Sequence, residues 1–228
     1  MGWGKFFVLS LLLFVCPGLR ATLYVAAYDP PTKAIGLAYS SSGGNFWQTR
    51  VKGKGLVGAQ AYGLCAQATP DAFLRDGLSA SLVAEQLQKQ CHAIRWESYR
   101  LVVITSDGAI ASVIAEQGCT SDNQECGELK ELDFLIIGGG LVEGVLGKGQ
   151  QAYLKTDAES LGCRLLQTLW AVYRAGGEKK DFRGASITID DPSHLSLIHW
   201  EARGPEQQLL PDLQQQMKMG GDSCELHY

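Results

Sequence analysis

The stretch Thr22-Leu23-Tyr24-Val25-Ala26-Ala27-Tyr28, with Ala34-Ile35-Gly36-Leu37-Ala38-Tyr39-Ser40-Ser41 after it, constrains the fold more than any other part of the sequence. The two runs flank Asp29-Pro30-Pro31-Thr32-Lys33, where proline fixes φ and favours a turn, so residues 22–41 read as a β-hairpin. Neither run alternates apolar with polar residues. Strands of that kind are buried on both faces, so this hairpin predicts a sheet covered on each side.

Residues 1–21, just before the hairpin, read as an export signal. Lys5 supplies the positive start, Phe6 to Val15 the apolar run, Pro17-Gly18 the break, and Leu19-Arg20-Ala21 a cleavage site. The run is too short to span a bilayer, which takes roughly 20 apolar residues. Cleavage after Ala21 makes Thr22 the first residue; cleavage after Gly18 is the alternative. The expected location is secreted or periplasmic. The formal charge is −4, and residues 1–21 carry Lys5 and Arg20 with no acid, leaving about −6 for 22–228. That balance offers no nucleic-acid groove and no attraction to an anionic membrane. Of seven cysteines, Cys65, Cys91, Cys119, Cys126, Cys163 and Cys224 lie beyond the signal, an even set that in an exported chain predicts disulfides. Cys119–Cys126, closing a short polar loop, is the best local pairing, and the sequence leaves the rest open. No C-x-x-C pair occurs, and His92, His194, His199 and His227 form no ligand pattern, so no metal site is expected.

Further along, Val57 to Ala61 reads as a strand. Thr69-Pro70-Asp71 starts a short helix ending by Gly77, and Ser79 caps another to about Cys91 with Leu82, Val83 and Leu87 inward. Arg100–Thr105 and Ala109–Ala115 are strands joined by Ser106-Asp107-Gly108, in which Asp107 reads as a turn residue and not a catalytic one. Gly118 to Lys130 is read as a polar loop and Leu132 to Ile137 as a strand. Gly138-Gly139-Gly140 leads into a helix from about Leu141 to Leu154, and a second helix runs from Asp157 to Ala175. Gly184–Asp190 and Leu195–Trp200 are the last strands. Strands and helices fall in blocks, which predicts an α+β fold of two mainly antiparallel sheets between helix layers, a four-layer αββα sandwich. Residues 22–202 form one domain. The glutamine-rich stretch 203–228 is set apart as a polar tail, in which Leu209–Met219 forms a docking helix or stays loose.

The opening Thr22-Leu-Tyr-Val-Ala-Ala-Tyr-Asp-Pro and the following Thr32-Lys-Ala-Ile-Gly-Leu-Ala-Tyr-Ser-Ser resemble the start of the DUF1028 family, T-x-S-I-V-A-x-D-P-x-T-G-x-L-G-V-A-V-x-S. The similarity continues through Val57-Gly-Ala-Gln-Ala-Tyr, Gly77-Leu-Ser, Ile136-Ile-Gly-Gly-Gly-Leu-Val-Glu, Ala175-Gly-Gly and Arg183-Gly-Ala-Ser. It spans nearly all of 22–200. The resemblance implies an N-terminal-nucleophile (Ntn) hydrolase-like fold with Thr22 as the first residue. The chain departs from the family at Gly43–Lys54 and at Leu132-Asp133-Phe134, where relatives often show Q-x-N and Phe134 has no polar group to offer a substrate.

A threonine with a free α-amine carries nucleophile and base on one residue. The amine has a pKa of about 7.7–8.0, and a nearby cation raises its neutral fraction. Lys54 is the candidate cation, with Lys52 and Arg50 behind it. The oxyanion needs preorganised donors, and the N–H groups around Gly138, Gly139 and Gly140, or those near Gln60 and Ala61, are the candidates. Ser40 and Ser41 end the strand opposite Thr22. Each has a plain structural reading too: helix–sheet packing for the glycines, strand-end hydrogen bonding for Gln60, Ser40 and Ser41. The reading is an exported hydrolase acting on a small-molecule or peptide amide, with no cofactor, no nucleic-acid partner and no stable membrane association, and compatible with a homo-oligomer. A catalytically silent relative that binds a ligand or partner is the alternative, and a disulfide-stabilised structural protein the third.

Overall fold

The computed structural model describes residues 22–42, 47–60, 70–93, 99–115, 125–157, 159–177 and 183–226. The signal, and with it the cleavage site, lies outside them.

β1 (Thr22–Asp29) and β2 (Ala34–Ser41) form the expected hairpin, in register from Thr22 opposite Ser41 to Asp29 opposite Ala34. The Asp29 carboxylate closes its turn by accepting from the Thr32 hydroxyl and backbone N–H. β8 (Phe134–Leu141) pairs with the free edge of β1, and β7 (Glu125–Lys130) pairs with β8. On the other side β9 (Gly184–Asp190) pairs with β2, and β10 (Ile198–Arg203) with β9. The result is a six-stranded antiparallel sheet in the order β10-β9-β2-β1-β8-β7, with the hairpin at its centre. A second antiparallel sheet has the order β3-β4-β5-β6, built from Trp47–Val51, Gly55–Gln60, Arg100–Thr105 and Ile110–Ile114.

Each sheet buries both faces. Tyr24, Ala26, Leu37 and Tyr39 point toward the second sheet and pack with its Leu56, Val102 and Ile104. Leu23, Val25 and Ala38, on the other face, pack on α3 (Val145–Lys155) and α4 (Leu161–Arg174). The outer face of the second sheet, with Val57, Leu101 and Val103, is covered by α1 (Pro70–Arg75) and α2 (Ala80–Ala93). The Tyr24 ring crosses between the sheets because residue 58 is glycine. A Cβ there would lie 2.5 Å from its Cε1.

Several local expectations change in the fold. β7 arises within the segment read as a polar loop, and β3 within Gly43–Lys54, for which no strand was expected. Both are half-exposed edge strands whose polar residues hide the strand pattern. The inner face of α2 is Ala80, Val83, Ala84 and Leu87, while Leu82 is exposed. Gly138–Gly140 belong to β8, and α3 starts only at Val145. α4 starts at Leu161 behind Ser160, whose Oγ accepts the Cys163 N–H at 3.1 Å. The Asp107 carboxylate is a turn group: it accepts from Thr105 Oγ1 at 2.6 Å and from the Ala109 N–H, bonds that hold it below its ordinary pKa.

The polar C-terminal stretch is not loose. Glu206–Met219 forms α5, and its Leu209, Leu210, Leu213 and Met217 join the core beside α4. A Cys163–Cys224 disulfide then ties the chain end to α4. Cys126 is also disulfide-bonded, while Cys119, its expected partner, lies outside the described residues. Leu213 is fully buried, whereas Leu195, in the β9–β10 turn, is fully exposed. Leu213→Ala should therefore cost about 2–5 kcal/mol in denaturant unfolding, and Leu195→Ala less than about 0.5 kcal/mol. Equal, small effects would show that α5 is not part of the core.

Candidate functional site

Thr22 opens β1, and the sheet register builds a row of residues around it. Ser41 lies opposite on β2, Gly139 opposite on β8, and Cys126 opposite Gly139 on β7. Side chains alternate along a strand, so Thr22 shares the inter-sheet face with Tyr24 and Ala26, and Ser41 shares it with Tyr39 and Leu37. The Thr22 and Ser41 hydroxyls meet at 3.2 Å, and both residues are buried, Thr22 to 1 % exposure.

The charged member of the site comes from the second sheet. Arg100 opens β5 and is 4 % exposed. Its guanidinium lies over Gly139: a Cβ on that glycine would sit 1.8 Å from Nη2 and 2.1 Å from Cζ. Directly opposed residues in an antiparallel pair have Cβ atoms about 5 Å apart. The guanidinium thus takes the place beside Thr22 that a Gly139 side chain would fill. Its Nη2–H donates to Cys126 Sγ at 2.8 Å. Burial disfavours the charge and lowers the Arg100 pKa to about 10, so the group is still a cation at neutral pH.

The remaining candidates separate. Lys54 is exposed in the β3–β4 turn, where its carbonyl accepts the Ser106 N–H. That turn lies at the Thr105 end of β5, five residues from Arg100, or about 16 Å along the strand. Lys54 is thus at the opposite end of the second sheet from the arginine beside Thr22. Lys52 is committed to Asp190 at 2.5 Å and Arg50 is exposed. Ser40 follows Ala38 onto the helix-covered face, away from Thr22, and its buried Oγ has no hydrogen-bond partner among the described residues. Gln60 pairs through its backbone with Arg100, and Ala61 lies outside the described residues.

Gly138 and Gly139 flank Thr22 as expected, but as strand residues. Gly138 faces the helices, where a Cβ would meet Leu141 Cδ1 at 2.5 Å. At the first turn of the helix that follows, the Leu146 N–H is already taken by Glu125 Oε2, at 2.9 Å.

A second polar chain runs along β9 on the inter-sheet face. Gln48 Nε2 donates to Ser186 Oγ at 3.3 Å, Thr188 Oγ1 meets His199 Nδ1 at 2.8 Å, and His199 Nε2 lies 3.5 Å from Glu201 Oε2. Burial is the main cause that holds the imidazole below its ordinary pKa, and Arg50 adds to it. Among the described residues no cluster of histidine, cysteine and acidic groups has the form of a metal site, and no helix is long and apolar enough to cross a membrane.

Arg100 was not among the residues singled out from sequence, and Cys126 was singled out only as a disulfide cysteine. A signal for Arg100 was available: an arginine starts the strand Arg100-Leu-Val-Val-Ile-Thr, and a charge drawn into such a core usually has a specific task. Its contact with Gly139 is open to a double-mutant cycle. Gly139→Ala should displace the guanidinium and destabilise the fold, and should cost much less in an Arg100→Ala background. Unfolding free energies should give a coupling of about 0.5–3 kcal/mol, whereas additivity would show that the two do not meet.

The family of unknown function DUF1028 matches residues 22–218. A crystal structure of a DUF1028 protein from Silicibacter pomeroyi is similar in fold, with a TM-score of 0.67 and 20% identity, covering 88% of this chain and 89% of that one. Comparison with curated proteins finds no match. The match starts at Thr22, the first residue of the central hairpin, and runs into α5: the chain belongs to the DUF1028 family.

Proposed function

We propose that this chain is an exported, secreted or periplasmic, hydrolase that cleaves an amide (C–N) bond with Thr22 as its N-terminal nucleophile, on a four-layer αββα framework of the Ntn type. The observation that carries the reading is the setting of Thr22: its hydroxyl is 3.2 Å from Ser41 Oγ, and the buried Arg100 cation lies one strand away. The apolar clusters on both faces of both sheets support the layered framework. The Cys163–Cys224 disulfide suits an oxidising compartment.

In this mechanism removal of residues 1–21 frees the Thr22 α-amine. The neutral amine takes the proton from Thr22 Oγ as that oxygen attacks the substrate carbonyl. Ser41 orients the hydroxyl. The Arg100 cation lowers the pKa of the α-amine, which raises its neutral fraction near pH 7. Collapse of the tetrahedral intermediate breaks the C–N bond, and the leaving amine takes back the proton held by the α-ammonium. The acyl group is then esterified to Thr22 Oγ. A water molecule, deprotonated by the same amine, attacks that ester and releases the acid, restoring Thr22.

The second reading is a silent relative that binds a ligand or partner instead of cleaving an amide. It is favoured by Phe134 in place of a polar residue and by the Glu125 carboxylate on the first turn of α3. N-terminal sequencing of the exported protein should show Thr22 first; a mature chain beginning at Leu19 contradicts direct use of the threonine. Turnover of a fluorogenic amide panel should then fall by about 10³-fold or more in Thr22→Ala and survive in Thr22→Ser. If the native protein with Thr22 first turns over no panel member, the silent reading replaces this one.

A further inference from the structure

We infer that the seam between β3 and β9 is an acid-released clasp on one side of the sandwich, and that His199 is the group whose protonation releases it. The inference does not depend on Thr22 acting as a nucleophile.

Among the described residues, polar side chains join the two sheets along both sides of the sandwich. On one side Glu128 of β7 accepts from Ser112 Oγ of β6, and Lys130 Nζ donates to the Ile110 carbonyl at 2.9 Å. On the other side Gln48 of β3 reaches β9, donating from Nε2 to Ser186 Oγ at 3.3 Å and accepting from Thr188 Oγ1 at 3.2 Å. Lys52 closes the turn end of this seam through Asp190 at 2.5 Å and the Asp191 carbonyl at 2.7 Å. This second seam continues into an imidazole, since Thr188 Oγ1 also meets His199 Nδ1 at 2.8 Å.

The hydrogen bonds fix where an added proton goes. The single Thr188 hydroxyl hydrogen is used on Gln48 Oε1, so the Thr188 oxygen accepts from the His199 Nδ1–H. The neutral imidazole therefore carries its lone pair on Nε2, 3.5 Å from Glu201 Oε2. Acid places a proton on Nε2 and makes the ring a cation. Glu201 attracts that cation, but Glu201 lies on the same strand, where Arg203 Nε holds it at 2.6 Å and Gln216 of α5 bonds its backbone. Its attraction adds nothing across the seam. Arg50 repels the cation, and Arg50 follows Gln48 by two residues on β3, in the other sheet. The repulsion therefore acts between the sheets. On β2 the residue opposite Thr188 is Leu37, which is apolar.

Burial of the ring and the Arg50 charge outweigh Glu201 and hold the imidazole below its ordinary pKa of 6.5. A base held down in this way stabilises the fold fully above 6.5, and the contribution is lost as pH falls from there through the lower folded value. The seam borders the inter-sheet space that holds Thr22 and Ser41: Ser186 lies opposite Tyr39, two residues before Ser41 on the same face. Its release opens that space from the side.

Hydrogen–deuterium exchange of the exported protein, corrected for intrinsic rates, reads both seams at once. From about pH 7.5 to about pH 5.5, the amides of β3 should exchange about threefold or more faster, while those of β6 and β7 keep their protection. His199→Gln should abolish this acid response, and Arg50→Gln, at an exposed position, should shrink it. His194, exposed in the β9–β10 turn and 3.9 Å from Asp191, is the control, and His194→Gln should leave the response intact. Slower exchange of β3 in acid would mean that the Glu201 attraction prevails, and it overturns the inference. Equal loosening of both seams does the same, as does a response that survives His199→Gln. If His199→Gln does not fold, Arg50→Gln decides: an acid response of unchanged size overturns the inference.

Discussion

A hairpin that is apolar on both faces needs cover on both faces, and the arrangement of this protein follows from that requirement. β1 and β2 lie at the centre of the six-stranded sheet, where neither strand meets solvent along an edge. Their inward residues Tyr24 and Tyr39 meet the second sheet, while Leu23, Val25 and Ala38 meet the helices. The same burial fixes Thr22. Being the first residue of a fully paired central strand, it is held by Ser41 on one side and Gly139 on the other.

Into this apolar setting the second sheet inserts one cation. Arg100 has no room unless residue 139 lacks a side chain, and residue 139 is glycine in β8, next to Thr22. The loss of β-propensity at Gly138-Gly139-Gly140 is tolerated because β8 is paired to β1 and to β7. Gly139 serves the close approach of an arginine, and the glycine run lies within β8 rather than at a helix start. The proposed chemistry has the same physical origin: a charge in a poorly solvated space acts more strongly on its neighbours than it would in water.

Much of the architecture was legible in the sequence because its signals are local. Unalternating apolar strands, the Asp107-Gly108 turn, and the helical repeat of Leu161, Leu165 and Leu169 each announce an element within a few residues. Thr22 and Ser41 could be placed opposite one another because a hairpin sets its own register, whereas Gly138 and Gly139 reach Thr22 through the long-range pairing of β8 with β1. Lys54 could not be placed, since the β3–β4 turn reverses the chain and carries it to the far end of the second sheet. Ser40 was misread because an alternation of period two sends it to the other face from Ser41. The Arg100–Gly139 contact joins residues on different sheets, and no spacing within the sequence reports such a meeting. For Leu209–Met219 the docking helix was one of two alternatives, because its glutamines look solvated; in α5 Leu209, Leu210, Leu213 and Met217 gather on one side of the helix against α4.

The central claim is that Thr22 is a nucleophile made available by its position at the start of β1. Treating exported protein with an N-terminal-threonine-directed β-lactone, then digesting it and mapping the adduct by mass spectrometry, tests this directly. The account predicts a single acyl adduct on the peptide that begins with Thr22. Labelling elsewhere, or no labelling of a chain shown to begin at Thr22, would contradict it.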